Sequence, residues 1–164
     1  MEEELNTEEK KPHKTILLVD DDEIHLLFTE LLLNDEYEIF TVKSGKEALK
    51  LLDKKHDKKH EKKHDKEHDK KHDKKHIVPD LIMLDVMMPE MDGWEVFNKI
   101  KKIAALKSTP IMFFSSMEDK SARKKAHEIG ASDFVIKPCD QTDLLNRIKD
   151  VLKKAKHKKE KKDK

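Results

Sequence analysis

Cysteine is nearly absent: Cys139 stands alone in 164 residues. A single thiol excludes an intramolecular disulfide and fits a reducing compartment. Long apolar runs are missing too, so nothing approaches the roughly 20 residues of a membrane-spanning helix. The amino terminus is acidic and lacks the apolar core of a signal peptide. A cytoplasmic protein with no membrane insertion is therefore expected. The lysine-rich segments carry no interleaved aromatic residues and no DNA-reading motif, so specific nucleic-acid recognition is not expected.

What is abundant is charge, at 43% of residues, and the formal net of +1 hides its uneven placement. Residues 1–14 hold five Glu and three Lys and read as a disordered leader. Residues 53–76 repeat Asp-Lys-Lys-His six times, with Glu at 61 and 67 as the only substitutions. Residues 153–164 hold eight Lys against Glu160 and Asp163 and form a basic tail. The rest, 15–52 and 77–152, is net acidic and of ordinary size for one compact domain. An acidic globule with basic appendages is expected.

Within that globule, apolar periodicity alternates between two kinds. Thr15–Val19 is a continuous apolar run, as in a strand buried on both faces. From Glu23 the spacing turns helical, with Ile24, Leu27, Phe28, Leu31 and Leu32 as the expected inward stripe. Glu36–Val42 reads as a strand. Ser44 and Glu47 form a capping-box pattern that opens a helix burying Ala48, Leu51 and Leu52. After the repeat, Asp80–Asp85 is a third strand, and Gly93 to about Leu106 a helix with Val96, Phe97, Ile100 and Ile103 inward. Pro110–Phe114 is a fourth strand, followed by a helix Met117–Ile129 capped by Ser116, with Gly130 at its C′ position. Asp133–Ile136 is a fifth strand. The last helix starts at Asp140 and carries Leu144, Leu145, Ile148, Val151 and Leu152 on one stripe.

This order is (βα)5, which predicts a doubly wound parallel sheet with helices on both faces. Ligands of such sheets bind outside the carboxyl ends of the strands. Asp20, Asp85, Ser115 and Lys137 all fall at strand ends on that edge. Carboxylates delivered there by two strands make an oxygen-lined pocket for a hard divalent cation. Singly, each has a plainer reading: Asp20–Asp22 as acids at a helix start, Asp85 as the first residue of a loop, Lys137-Pro138 as a turn.

Four segments in order carry a resemblance: Ile-Leu-Leu-Val-Asp-Asp-Asp (16–22), Asp-Leu-Ile-Met-Leu-Asp-Val-Met-Met-Pro-Glu-Met-Asp-Gly (80–93), Pro-Ile-Met-Phe-Phe-Ser-Ser (110–116) and Gly-Ala-Ser-Asp-Phe-Val-Ile-Lys-Pro (130–138). Together they resemble the receiver domain of two-component response regulators, over nearly all of the globule. The resemblance implies a flavodoxin-like fold with strand order 2-1-3-4-5 and a phosphorylation-dependent signalling switch. It implies that Asp85 takes a phosphoryl group from a sensor histidine kinase or His-phosphotransfer protein. Asp20, Asp21, Asp85 and the backbone carbonyl of Met87 would hold Mg²⁺, with Mn²⁺ as an alternative ion.

By the same resemblance Lys137 pairs with Asp85 and then with its phosphoryl group. Ser115 turns toward that group, in preference to Ser116, and Phe134 follows inward to change a surface read by a downstream effector of unknown identity. Pro138 stands where the family has a cis peptide. Ser115 replaces the commoner threonine, and Cys139 a common aromatic. Such a protein catalyses only its own phosphorylation and dephosphorylation. A stand-alone receiver is expected, with no output domain in this chain. Three carboxylates in one pocket should also favour a bound cation or a raised pKa.

The repeat has a bland and a sharp reading. As a solvated loop it is tolerated, since each doubling of loop length costs only about 0.6 kcal/mol. As a helix it would set His56, His60, His64, His68, His72 and His76 at i, i+4 spacing, where adjacent pairs chelate Zn²⁺, Ni²⁺ or Cu²⁺. His and Asp are poor helix formers, which favours the loop. The rival function is accordingly a metal-binding or scaffold protein on a receiver fold. A phosphohydrolase is disfavoured because Met87, not a second Asp, follows Asp85 by two residues. His25 and His127 are expected on the surface, outside the chemistry.

Overall fold

The computed structural model of the chain describes residues 13–53 and 76–163. The leader up to residue 12 and His56, His60, His64, His68 and His72 lie outside the described residues. His76 is described and sits half-buried just ahead of the third strand.

The strands are β1 (Thr15–Val19), β2 (Glu38–Val42), β3 (Leu81–Leu84), β4 (Ile111–Ser115) and β5 (Asp133–Ile136), and the helices are α1 (Glu23–Leu33), α2 (Gly45–Leu52), α3 (Gly93–Lys101), α4 (Lys120–Glu128) and α5 (Gln141–Lys162). All strand pairs are parallel and the order is β2-β1-β3-β4-β5. This is the expected flavodoxin-like sheet.

Strand side chains alternate between faces, and two cores result. Leu17, Val19, Ile82, Leu84, Ile111 and Phe113 pack on the α2–α3–α4 side, with Ala48, Leu49, Phe97, Ile100, Ala122 and Ala126. Ile16, Leu18, Leu81, Met83, Met112 and Val135 pack on the α1–α5 side, with Leu26, Leu33, Leu144, Ile148 and Val151. Both faces of the sheet are thus covered, and it is fixed from both directions.

Helix starts follow their caps. Asp22 accepts from the amides of Ile24 and His25, and Ser44 from Glu47, whose own carboxylate takes the Lys43 amide. Gly130, at φ 89°, terminates α4 while the Ala131 amide reaches Ala126 O at 2.9 Å, as the C′ reading expects. Lys137-Pro138 is cis. The last helix continues through the lysine-rich segment to Lys162.

Three expectations are corrected. Helix α4 is capped by Asp119, which accepts from the Ser121 amide, and not by Ser116. Helix α3 stops at Lys101 and a 3-10 turn, Ala104–Leu106, takes over with i→i−3 bonds from Ile103 and Leu106.

The third correction concerns α1. Its buried residues are Leu26, Thr29 and Leu33, while Ile24, Leu27, Phe28 and Leu31 of the expected stripe are 58–76% exposed. The helix is apolar nearly all round, so two stripes satisfy helical spacing equally. Spacing fixes the period of a helix but not its rotation, and here the face that packs is the one carrying Leu26 and Leu33.

Candidate functional site

Parallel register builds the site before any side chain does. Val19 lies opposite Leu84, so Asp20 and Asp85 leave the sheet side by side. Ser115 lies opposite Ile136, which places Lys137 beside Ser115, and the Lys137 amide donates to Ser115 O at 2.9 Å. All four side chains thus arrive at the carboxyl edge of the sheet.

Asp20 and Asp85 are each 7% exposed and Ser115 is fully buried. Ser115 Oγ donates to Asp85 Oδ1 at 2.7 Å, and the Met87 amide donates to the same oxygen at 3.3 Å. Ser116 is exposed; the hydroxyl that reaches Asp85 is that of Ser115. Lys137 Nζ pairs directly with Asp20 and lies 3.8 Å from Asp85 Oδ2. Its first partner is therefore the acid that follows β1 rather than Asp85. Asp20 Oδ1 accepts the Asp22 amide at 2.9 Å.

Asp21 completes the cluster from an exposed position. One ligand oxygen from each of Asp20, Asp21 and Asp85 lies within 4.8 Å of the others. Three carboxylates facing one lysine leave the crevice negative. Burial pushes the Asp85 carboxyl up from its ordinary range; the Ser115 hydrogen bond and Lys137 pull it back, and Asp20 raises it again. A hard divalent ion fits this all-oxygen set. Met87 is exposed at the rim.

Phe134 is buried rather than poised at the surface. Its ring lies 6.0 Å from that of Phe113, and the Arg123 guanidinium sits 5.9 Å over it. His25 was not anticipated at the site. Its Nδ1 lies 3.7 Å from Asp20 Oδ2 and 3.5 Å from Lys137 Nζ, at the rim. The signal was available: His25 falls in the first turn after the Asp22 cap, beside the acids, once the rotation of α1 is known. His76 stands apart from this cluster, just before β3.

A 2-1-3-4-5 parallel sheet with a crevice of carboxylates at its carboxyl edge defines a flavodoxin-like domain. Residues 16–149 match the response regulator receiver domain family, and the chain belongs to that family. It is 40% identical over 76 residues to the transcriptional activator protein IrlR of Burkholderia pseudomallei, covering 46% of this chain and 32% of that one. It is 31% identical over 139 residues to the response regulator PleD of Caulobacter vibrioides, covering 84% of this chain and 26% of that one. A crystal structure from Chloroflexus aurantiacus, assigned as a response regulator, superimposes with a TM-score of 0.65 at 30% identity, covering 87% of this chain and 98% of the other. The chain thus spans a third or less of these two curated relatives. Receiver domains are switches in two-component signalling rather than enzymes acting on external substrates. No helix among the described residues is long and apolar enough to cross a membrane.

Proposed function

We propose that Asp85 is the phosphoacceptor of a signalling switch charged by a histidine kinase or His-phosphotransfer protein. The observation that carries this is the convergence on Asp85 of Ser115 at 2.7 Å, Lys137 at 3.8 Å and the carboxylates of Asp20 and Asp21. An Asp85 carboxylate oxygen attacks phosphorus, the P–O bond forms, and the P–N bond to the donor imidazole breaks. Phosphoryl transfer asks mainly for alignment and neutralised charge. Asp20, Asp21, Asp85 and the Met87 carbonyl would hold Mg²⁺, with Mn²⁺ as the alternative, and the ion supplies that neutralisation when bound.

The protein's own groups do the rest. Ser115 holds Asp85 in one rotamer before transfer and donates to a phosphoryl oxygen after it. Lys137 exchanges part of its contact with Asp20 for the new charge. Phe134, packed beneath Arg123, supplies the movement by which the α4–β5 face is altered for an effector. A donor must cover the rim to reach Asp85. The exposed apolar side of α1 begins there, and Phe28, Phe114, Lys137 and Pro138 line a groove of about 230 Å³ beside it. The metal-binding rival loses ground because the acid pair, Asp85, Ser115 and Lys137 assemble so fully.

Incubating the chain with acetyl phosphate and Mg²⁺ tests the reading. Intact mass should rise by one phosphoryl group, and Asp85→Asn should take up none. An unchanged mass for the wild-type chain would reject it.

A further inference from the structure

The opposite edge of the sheet holds a second feature that the crevice does not use. Thr109 and Pro110, just before β4, and Ser132, just before β5, floor a groove of about 470 Å³. Its walls carry Lys101 and Lys107 on one side and Lys154, Lys158, Lys159 and Lys162 of α5 on the other. No carboxylate is among the residues that line it. From these walls of one sign we infer that the groove binds a row of phosphates, as in an oligophosphate or the backbone of a single nucleic-acid strand.

Several observations converge on that ligand. Lys154, Lys158 and Lys162 recur at i, i+4 spacing, so they share one helix face along about 12 Å. Like charges at that spacing disfavour the helix, and the groove-lining positions of α5 have no Glu or Asp among them. Across the groove, Lys101 is anchored: its Nζ donates to Thr109 O at 2.9 Å. Burial, and then the charge of Lys158, hold its pKa below the usual lysine range. Its Nζ also lies 5.6 Å from the centre of the Phe97 ring, so this cation is held in place while no carboxylate lines the groove to neutralise it. The volume suits a small ligand. No aromatic ring lines the walls, so bases find no stacking platform and recognition stops at the phosphates. Concavity argues against a flat membrane surface.

Tripolyphosphate titrated calorimetrically into the full chain tests this. Binding should weaken at least tenfold between 50 and 200 mM salt, because several exposed charge pairs are screened at once. Lys158→Gln/Lys162→Gln should weaken it about tenfold, whereas Lys153→Gln/Lys161→Gln, which removes equal charge outside the groove, should stay within twofold. Both variants should accept phosphate from acetyl phosphate as the parent does, which shows them folded. Competition by oligothymidylate identifies a nucleic-acid strand as the source; failure to compete identifies a free oligophosphate. Equal weakening by both variants, no binding, or binding only to duplex DNA or anionic vesicles would overturn the inference.

Discussion

The two edges of the sheet use charge in opposite ways. At the carboxyl edge, Asp20 and Asp85 are buried, and each meets Lys137 together with further donors. At the amino edge, lysines of like sign line an open groove with no acid among them. The first arrangement comes from strand register, which decides which residues leave the sheet side by side. The second comes from the phase of a helix that extends beyond its buried stripe. At the crevice the opposite charges are buried against one another; in the groove the like charges face solvent with no acid among them. Chemistry belongs to the former and electrostatic attraction to the latter.

The largest effect that sharpens this contrast is at Gly93. A Cβ there would lie 2.2 Å from the Asp85 carbonyl oxygen and 2.9 Å from Val86 Cα. Both neighbours are backbone, so the loop carrying Asp85 has to move. Gly93→Ala should destabilise the fold by about 2–3 kcal/mol and slow phosphoryl uptake from acetyl phosphate. Lys158→Gln at the opposite edge should change stability by no more than about 0.5 kcal/mol. Urea unfolding of the two variants checks this; equal losses would erase the distinction between a register-built and a phase-built site.

Asp85→Asn should move stability the other way. Burial raises the Asp85 carboxyl above its ordinary value of 3.8 in the folded chain, against the pull of Ser115 and Lys137. The folded state then holds this proton more tightly than the unfolded state does. Stability therefore falls as pH rises from 3.8 through the raised value, and the ionised carboxylate is a standing penalty above it. Without divalent cation, Asp85→Asn should melt roughly a few degrees higher at pH 7. The advantage should vanish below pH 3.8, and saturating Mg²⁺ should narrow it by stabilising the parent. A variant less stable than the parent at pH 7 would mean that Ser115 and Lys137 outweigh burial.

How far the sequence discloses these features depends on what sets each one. Strand runs such as Leu81–Leu84 carry their own signal, because a strand buried on both faces must be apolar throughout. Their ends put Asp20, Asp85, Ser115 and Lys137 on one edge once the order is known. The rotation of α1 is hidden, because Leu26 and Leu33 and the exposed Leu27 and Leu31 look alike in a row of letters. His25 at the rim was missed for that reason. The early stop of α3 and the Asp119 cap of α4 turn on competition among nearby partners, which periodicity does not weigh. The preference of Lys137 for Asp20 is also a matter of side-chain reach. The basic groove needs both the phase of α5 and the position of Lys101 across from it, so the tail alone reads only as solvated lysines.

The smallest effect lies in the loop between β3 and α3, at Glu90. It has φ 65°, the only left-handed non-glycine among the described residues, in the turn where the Met91 amide meets Pro89 O at 2.7 Å. Left-handed backbone costs an L-residue about 1–2 kcal/mol. A glycine would relieve that but add about 0.5–1 kcal/mol of freedom to the unfolded chain. It would also lose the exposed pair with Lys46 Nζ at 2.8 Å, which solvent screens. Glu90→Gly should therefore stabilise by about 0.5 kcal/mol or less. Lys46→Gln, which removes the pair and keeps the backbone, isolates that contribution. If Glu90→Gly instead destabilised by more than Lys46→Gln does, the loop that follows Asp85 would be held by something other than this turn. Rigidity at the carboxyl edge would then extend beyond the register that places Asp85.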